Sequence, residues 1–235
     1  ANEYLTEQGI TILNDVTLNS VSNDGNKPVI TANGQNYTFD AVLYATGRKP
    51  NTANIGLENT DIATNERGAI VVNDTCESSV PGVYAVGDVN GGPQFTYISL
   101  DDFRIVFGTL TGNGQYTLKD RKNIPYTTFL TPPLARVGLT EEDAINKGYT
   151  VKTKEMLVAT MPRAHVNDYL KGAFKIVVNA ENNLILGATL YSQGAEELIN
   201  LIKMAMDNNI PYTYFKNQIF THPTMAENLN DLCNF

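Results

Sequence analysis

The chain has 235 residues, 42% hydrophobic and 18% charged, a globular composition long enough for one large domain or two modest ones. Its net charge of −8 argues against nucleic acid or an anionic membrane surface as the main partner, since both call for a basic patch. No apolar run reaches the roughly 18 residues needed to span a bilayer, and Ala1-Asn2-Glu3-Tyr4 lacks the basic and apolar regions of a signal peptide.

Residues 1–8 read as the last turns of a helix, closed by Gly9. Ile10–Leu13 and Val16–Val21 read as strands. Val29–Ala32 and Gln35–Phe39 flank Asn33-Gly34, which supplies the two positive-φ positions of a type I′ hairpin turn. Ala41-Val42-Leu43-Tyr44-Ala45 is a continuous apolar run of the kind found in buried strands. It ends at Thr46-Gly47-Arg48-Lys49-Pro50-Asn51, which places small residues and amides at a sheet's carboxyl edge, where open α/β sheets bind ligands. An ordinary strand-to-loop turn has the same pattern.

Residues 52–80 read as an irregular surface segment with a short strand at Ala69–Val72. Val83-Tyr84-Ala85-Val86-Gly87-Asp88 then repeats the earlier arrangement, an apolar strand ending in Gly, now followed by a carboxylate. After Gly91-Gly92-Pro93, Phe95 opens a helical stretch with Phe95, Ser99, Phe103, Val106 and Leu110 on one face. An aspartate at a strand end accepts from sugar hydroxyls, and a helix N-terminus favours nearby negative charge. The pair suits a polyol attached to a ring that becomes anionic on reduction. It also suits a plain capped loop.

Gly112-Asn113-Gly114 marks a boundary, and a second unit begins near Ile124. Thr127–Leu130 reads as a strand, Thr140-Glu141-Glu142-Asp143 as an N-cap with an acidic first turn, and Val151–Thr160 as a strand. Ala173–Val178 and Leu184–Tyr191 form a hairpin. Ala195, Leu198, Ile199, Ile202, Ala205 and Met206 draw an apolar stripe on one helix, and Tyr212–Gln218 reads as another. This order implies an α+β unit with an antiparallel sheet.

Near the C-terminus stands Phe220-Thr221-His222-Pro223-Thr224-Met225-Ala226-Glu227. Thr224 reads as an N-cap, with His222 just outside a helix and Glu227 in its first turn. A carboxylate on one imidazole nitrogen fixes the tautomer, favours the protonated ring and aims the other nitrogen at a substrate. Thr224-x-x-Glu227 is equally a capping box, and the motif alone leaves both readings open.

Two cysteines and two histidines give neither a disulfide framework nor a metal-ligand spacing, which suits a reducing cytoplasm. No Gly-x-Gly-x-x-Gly fingerprint follows a strand. The first 45 residues begin in mid-element, as the second part of something longer would.

Taken in order, Ala45-Thr46-Gly47-Arg48-x-Pro50-Asn51, Val83–Asp88 and His222-Pro223-Thr224-x-x-Glu227 resemble the C-terminal half of a class I flavoprotein disulfide reductase. That family includes glutathione reductase, dihydrolipoamide dehydrogenase and mercuric reductase. Gly91–Asp102 resembles the mercuric-reductase-like bacterial branch linked to reactive-chlorine resistance. The resemblance implies an α/β plus α+β fold: remnants of FAD- and NAD(P)-binding Rossmann-like domains, followed by an α+β dimerisation domain with an antiparallel sheet. Residues 1–44 would close the NAD(P)H-binding domain, 45–120 the FAD-binding domain, and 121–235 would be the dimerisation domain of a cytoplasmic homodimer.

Under that resemblance Gly87 and Asp88 would hold the FAD ribityl chain. Gln94, Phe95 and Thr96 would aim a helix N-terminus at the flavin, and Ala45, Thr46, Gly47 and Arg48 would form the crossing between domains. His222, held by Glu227, would act on the redox cysteines of the other subunit, toward a thiol, disulfide or other small-molecule substrate. No metal site is expected. The family's cysteine pair and both dinucleotide fingerprints are missing. Cys76 reads as part of a surface segment, Cys233 as an incidental thiol and His165 as a loop residue. The chain alone is therefore expected to be catalytically incomplete, with the unit that carries the apolar helix stripe Ala195–Met206 forming a two-fold dimer. The rival readings are a non-catalytic homodimerisation module and an NADH oxidase or peroxidase, a type that lacks the His-Pro-Thr-x-x-Glu signature.

Overall fold

Secondary structure in this protein follows where backbone partners are available. The computed structural model describes residues 1–235, which fall into two compact units, Asn2–Asp120 and Arg121–Phe235.

In the first unit, helix α1 (Asn2–Glu7) is followed by an antiparallel meander of β1 (Leu18–Asp24), β2 (Lys27–Ala32) and β3 (Gln35–Thr38). Asn33 (φ 50°) and Gly34 (φ 76°) make the β2–β3 turn, as the Asn-Gly pair requires. Four expected strands do not form. Ile10–Leu13 and Ala41–Ala45 are extended but unpaired, with Leu43 89% and Tyr44 67% exposed. Ala69–Val72 and Val83–Val86 reduce to the single bridges Thr64–Ile70 and Glu77–Tyr84. An apolar run becomes a strand only when a neighbour completes its ladder, and no strand lies beside these segments.

The irregular stretch is ordered by side chains instead. Asn65 Oδ1 accepts from the amides of Arg67 and Ala69, and Asn73 Oδ1 from those of Thr75 and Glu77. Cys76, expected at the surface, is fully buried there. Helix α2 (Thr96–Thr111) buries Ile98, Asp102 and Ile105. The expected face is not the buried one, because Phe103 and Leu110 lie exposed. With Leu100, Phe103, Phe107 and Leu110 apolar as well, this helix has no polar side for periodicity to detect.

The second unit is α+β. Strands β4 (Tyr126–Thr128), β5 (Leu134–Gly138), β6 (Val151–Leu157), β7 (Ala173–Asn179) and β8 (Ile185–Tyr191) form an antiparallel sheet in the order β4-β5-β8-β7-β6. Helix α3 (Glu141–Asn146) starts at Thr140 with a full capping box to Asp143. Helix α4 (Pro162–Val166) carries His165, which is therefore helical and not in a loop. Helix α5 (Ala195–Asp207) buries the six residues of its apolar stripe. They join Phe174, Ile176 and Leu190 of the sheet in one core. The stripe thus belongs to the interior of this unit and is not itself a surface for a partner. Helices α6 (Tyr212–Asn217) and α7 (Asn228–Leu232) close the unit. Gly172 (φ 124°) between α4 and β7 cannot carry a side chain, because a Cβ there would run into the Tyr191 carbonyl.

Candidate functional site

Each unit carries one group of the residues singled out from the sequence. In the first unit the Gly87–Asn90 stretch is a 3-10 turn that follows extended Val86. Gly87 sits at φ 73°, and a side chain on it would collide with the Ser99 hydroxyl of α2. The turn is anchored by Asp102, which is completely buried. Its Oδ2 accepts from the Gly87 amide at 2.7 Å and from Asn90 Nδ2 at 2.9 Å. Asp88 thereby lies on the outer side of an anchored turn, its carboxylate about half exposed, and Arg48 Nη1 meets its Oδ2 at 3.2 Å. Two motifs 40 residues apart are brought together by that ion pair.

Ala45, Thr46 and Gly47 are exposed in the loop leading to Arg48, with Gly47 at φ 97°. Gln94 and Phe95 are half-buried and Thr96 is exposed. Phe95 is the N-cap of α2 and its side chain makes no capping hydrogen bond, and the helix dipole there favours nearby negative charge. The Phe95 and Tyr97 rings stack with centroids 5.0 Å apart. Asp102 was not singled out from the sequence. Its signal was there: a carboxylate spaced between Ile98 and Ile105 on one helical face, and aspartate is almost never fully buried unless paired.

In the second unit His222 Nδ1 lies 2.8 Å from Glu227 Oε2. The other oxygen, Oε1, accepts from the Thr224 amide at 3.1 Å, while the Glu227 amide donates to Thr224 Oγ1 at 3.2 Å. The reciprocal capping bonds and the imidazole bond are therefore both present. One element differs from expectation: α7 begins at Asn228, so Glu227 is its N-cap residue and precedes the first turn. The capping pair closes the turn ahead of the helix.

A carboxylate only accepts, so the Nδ1 that faces it carries the proton and Nε2 is left to exchange one. The His222 side chain is 69% exposed and that of Glu227 18%. The bond to His222 above all holds the Glu227 carboxyl below its usual range; burial opposes it, and the Thr224 amide and the charge of a protonated ring add smaller help. It is ionised at neutral pH.

Neither cysteine joins these groups. Cys76 and Cys233 are both buried and form no disulfide, and burial pushes the Cys233 thiol up to about 12 despite nearby Lys154. His165 Nε2 lies 2.8 Å from the Ala159 carbonyl. No group of three or more His, Cys, Asp or Glu side chains is placed to hold a metal ion. No helix is long and apolar enough to cross a membrane.

The sequence matches two family profiles, pyridine nucleotide-disulphide oxidoreductase over residues 1–102 and pyridine nucleotide-disulphide oxidoreductase, dimerisation domain, over residues 124–233. The chain belongs to the pyridine nucleotide-disulphide oxidoreductases, flavoenzymes whose members use FAD and NAD(P)H. It is 44% identical over 228 residues to the probable pyridine nucleotide-disulfide oxidoreductase RclA of Escherichia coli, covering 97% of this chain and 52% of that one. Identity to a mercuric reductase of Staphylococcus aureus is 36% over 232 residues, covering 97% of this chain and 42% of the relative. The solved structure of the HOCl-induced flavoprotein disulfide reductase RclA from Escherichia coli superposes with a TM-score of 0.95 at 43% identity. That superposition covers 99% of this chain and 53% of the other. The chain spans about half the length of the curated relatives it matches.

Proposed function

We propose that the chain is the C-terminal half of a cytoplasmic, homodimeric disulfide oxidoreductase dependent on FAD and NAD(P)H. In this reading residues 1–44 close the NAD(P)H-binding domain, 45–120 close the FAD-binding domain, and 121–235 mediate dimerisation. The observation that carries it is the 2.8 Å bond between His222 Nδ1 and Glu227 Oε2, with Glu227 fixed by its second oxygen to Thr224.

The first unit fits a flavin. Arg48 occupies one oxygen of Asp88, which leaves the other to accept from a polyol hydroxyl. Asp102 holds the turn from behind, and the start of α2 at Phe95–Thr96 favours an anionic ring edge. Bound FAD would supply the two-electron relay between nicotinamide and a thiol or disulfide substrate. His222 then acts at the sulfur. A thiol presented at Nε2 gives its proton to the imidazole, and Glu227 stabilises the cation that forms. Returning the proton completes the cycle. Acid–base help of this kind contributes about 10²–10⁴-fold in rate.

In the flavin-loaded full-length parent, His222→Ala is expected to slow the thiol–disulfide half-reaction by about 10²-fold or more. Reduction of the flavin by NAD(P)H should be nearly unchanged, and Glu227→Gln should fall between. A purely structural capping role makes Glu227→Gln almost silent, since Gln serves as well at that position. Stopped-flow measurement of the two half-reactions decides, and equal slowing of both overturns the dyad.

A second reading applies to this polypeptide by itself, a non-catalytic dimerisation module. Its support is the exposed apolar side chains of Ile10–Leu13 and Ala41–Ala45, which lie in no strand. The purified chain is then expected to bind FAD weakly or not at all. A stoichiometric flavin absorption band would rule this out.

A further inference from the structure

The residue that holds the His222 loop together is Asn230. Its side-chain Nδ2 reaches the carbonyls of Phe215 at 2.6 Å, Gln218 at 2.9 Å and Lys216 at 3.3 Å. These lie at and just past the C-terminal end of α6, where a helix leaves carbonyls without an intrahelical donor. The backbone amide of the same residue donates to the Glu227 carbonyl at 3.0 Å. One residue thus grips both ends of the segment 218–227, which presents His222. Inside that segment Asn228 Nδ2 donates to the Thr224 and Met225 carbonyls at 3.1 Å each, and Thr224 Oγ1 donates to the Thr221 carbonyl at 2.8 Å.

His222 is mostly exposed, so packing does little to fix its ring. The hydrogen bonds that close the loop must offset the entropy of ordering it. We propose that Asn230 is a positioning residue for the His222–Glu227 pair, closing the loop so that Glu227 Oε2 stays on Nδ1. The catalytic consequence rests on the reading given above, while the placement of the ring does not.

Asn230→Asp keeps the shape but replaces the donors with a carboxylate that faces three carbonyl oxygens. Asn230→Ser removes the reach without adding charge. The chain has two histidines, and His165 in α4 is an internal control. With ¹⁵N-labelled imidazoles, wild-type His222 should show the Nδ1–H form. In both variants its signals should move toward the mixed tautomers of a free imidazole while those of His165 stay in place. In a Glu227→Ala background, Asn230→Ser should add no further shift, because the interaction it protects is already gone.

Unmoved His222 signals in a folded variant overturn the proposal. So does a further shift in the Glu227→Ala background, or loss of the fold in both variants, which would make Asn230 a stability residue only. In the flavin-loaded full-length parent, Asn230→Ser should also slow the thiol half-reaction by about 10- to 10²-fold. Moved His222 signals with unchanged kinetics would support the positioning role and count against the catalytic role of the pair.

Discussion

Glu227 does two jobs because it has two oxygens, and each is committed to a different neighbour. Its carboxyl is held below the ordinary 4.5, so its native interactions stabilise the ionised form. The sign follows: that stability is present above about pH 4.5 and is lost as pH falls through the lower folded value. In His222→Ala the largest cause of the shift is gone, and the acid limb of the unfolding curve should move to higher pH by less than it does in Glu227→Ala. Cys233 behaves in the opposite sense. Burial raises its thiol to about 12, and Lys154 Nζ pins the surrounding tail to the Asp231 and Asn234 carbonyls at 2.7 and 2.6 Å. A thiol that stays protonated and buried is inert. Iodoacetamide at neutral pH should therefore label Cys233 only in denaturant, and rapid native labelling detected by mass spectrometry would mean that the tail is not docked. At this scale the His222–Glu227 pair was legible from a five-residue spacing. Asn230 was not, because its carbonyl partners come from a remote turn that no local pattern specifies, whereas Asp102 left a trace on the Ile98–Ile105 face that the reading passed over.

Among the elements, legibility tracked contrast. Helix α5 alternates apolar and charged faces, and its buried residues are the six read from the sequence. Helix α2 has apolar residues on all sides, so periodicity picked Phe103 and Leu110 while the buried residues are Ile98, Asp102 and Ile105, with Asp102 bonded to the Gly87 turn. Strand runs lacking a neighbour, as at Ala41–Ala45, look identical in sequence to strands that have one. The Asp102 anchor makes a specific expectation. Asp102→Ala leaves the buried Gly87 amide without its acceptor and leaves the half-buried Asn90 Nδ2 only the Ala85 carbonyl. Stranding buried donors costs about 1–3 kcal/mol each. Urea unfolding should show that loss, and hydrogen exchange at the Gly87 amide should accelerate. A variant with wild-type exchange at Gly87 would mean that the turn holds without Asp102.

At the scale of the whole molecule, the second unit has its own core of β-sheet and α5, and that core decides which apolar residues remain for association. The α5 stripe itself is not open to a partner, since Ile202 is fully enclosed. What remains outside includes Ile219, 95% exposed and three residues before His222, with Leu157, Met204 and Tyr214 also exposed. A large aliphatic side chain left almost wholly in water gains on burial in an interface. A closed two-fold dimer would present the same patch from both copies. The chain should therefore sediment as a dimer at micromolar concentration. Ile219→Asp should weaken association by about tenfold or more, equivalent to roughly 1.4 kcal/mol, while leaving the thermal stability of the unit nearly unchanged. Ile202→Ala should do the reverse, costing about 2–5 kcal/mol of fold stability through a core cavity, with the dimer constant of the folded fraction little changed. Only monomer at high micromolar concentration, or an Ile219→Asp variant that dimerises as well as wild type, would place the interface elsewhere or remove it.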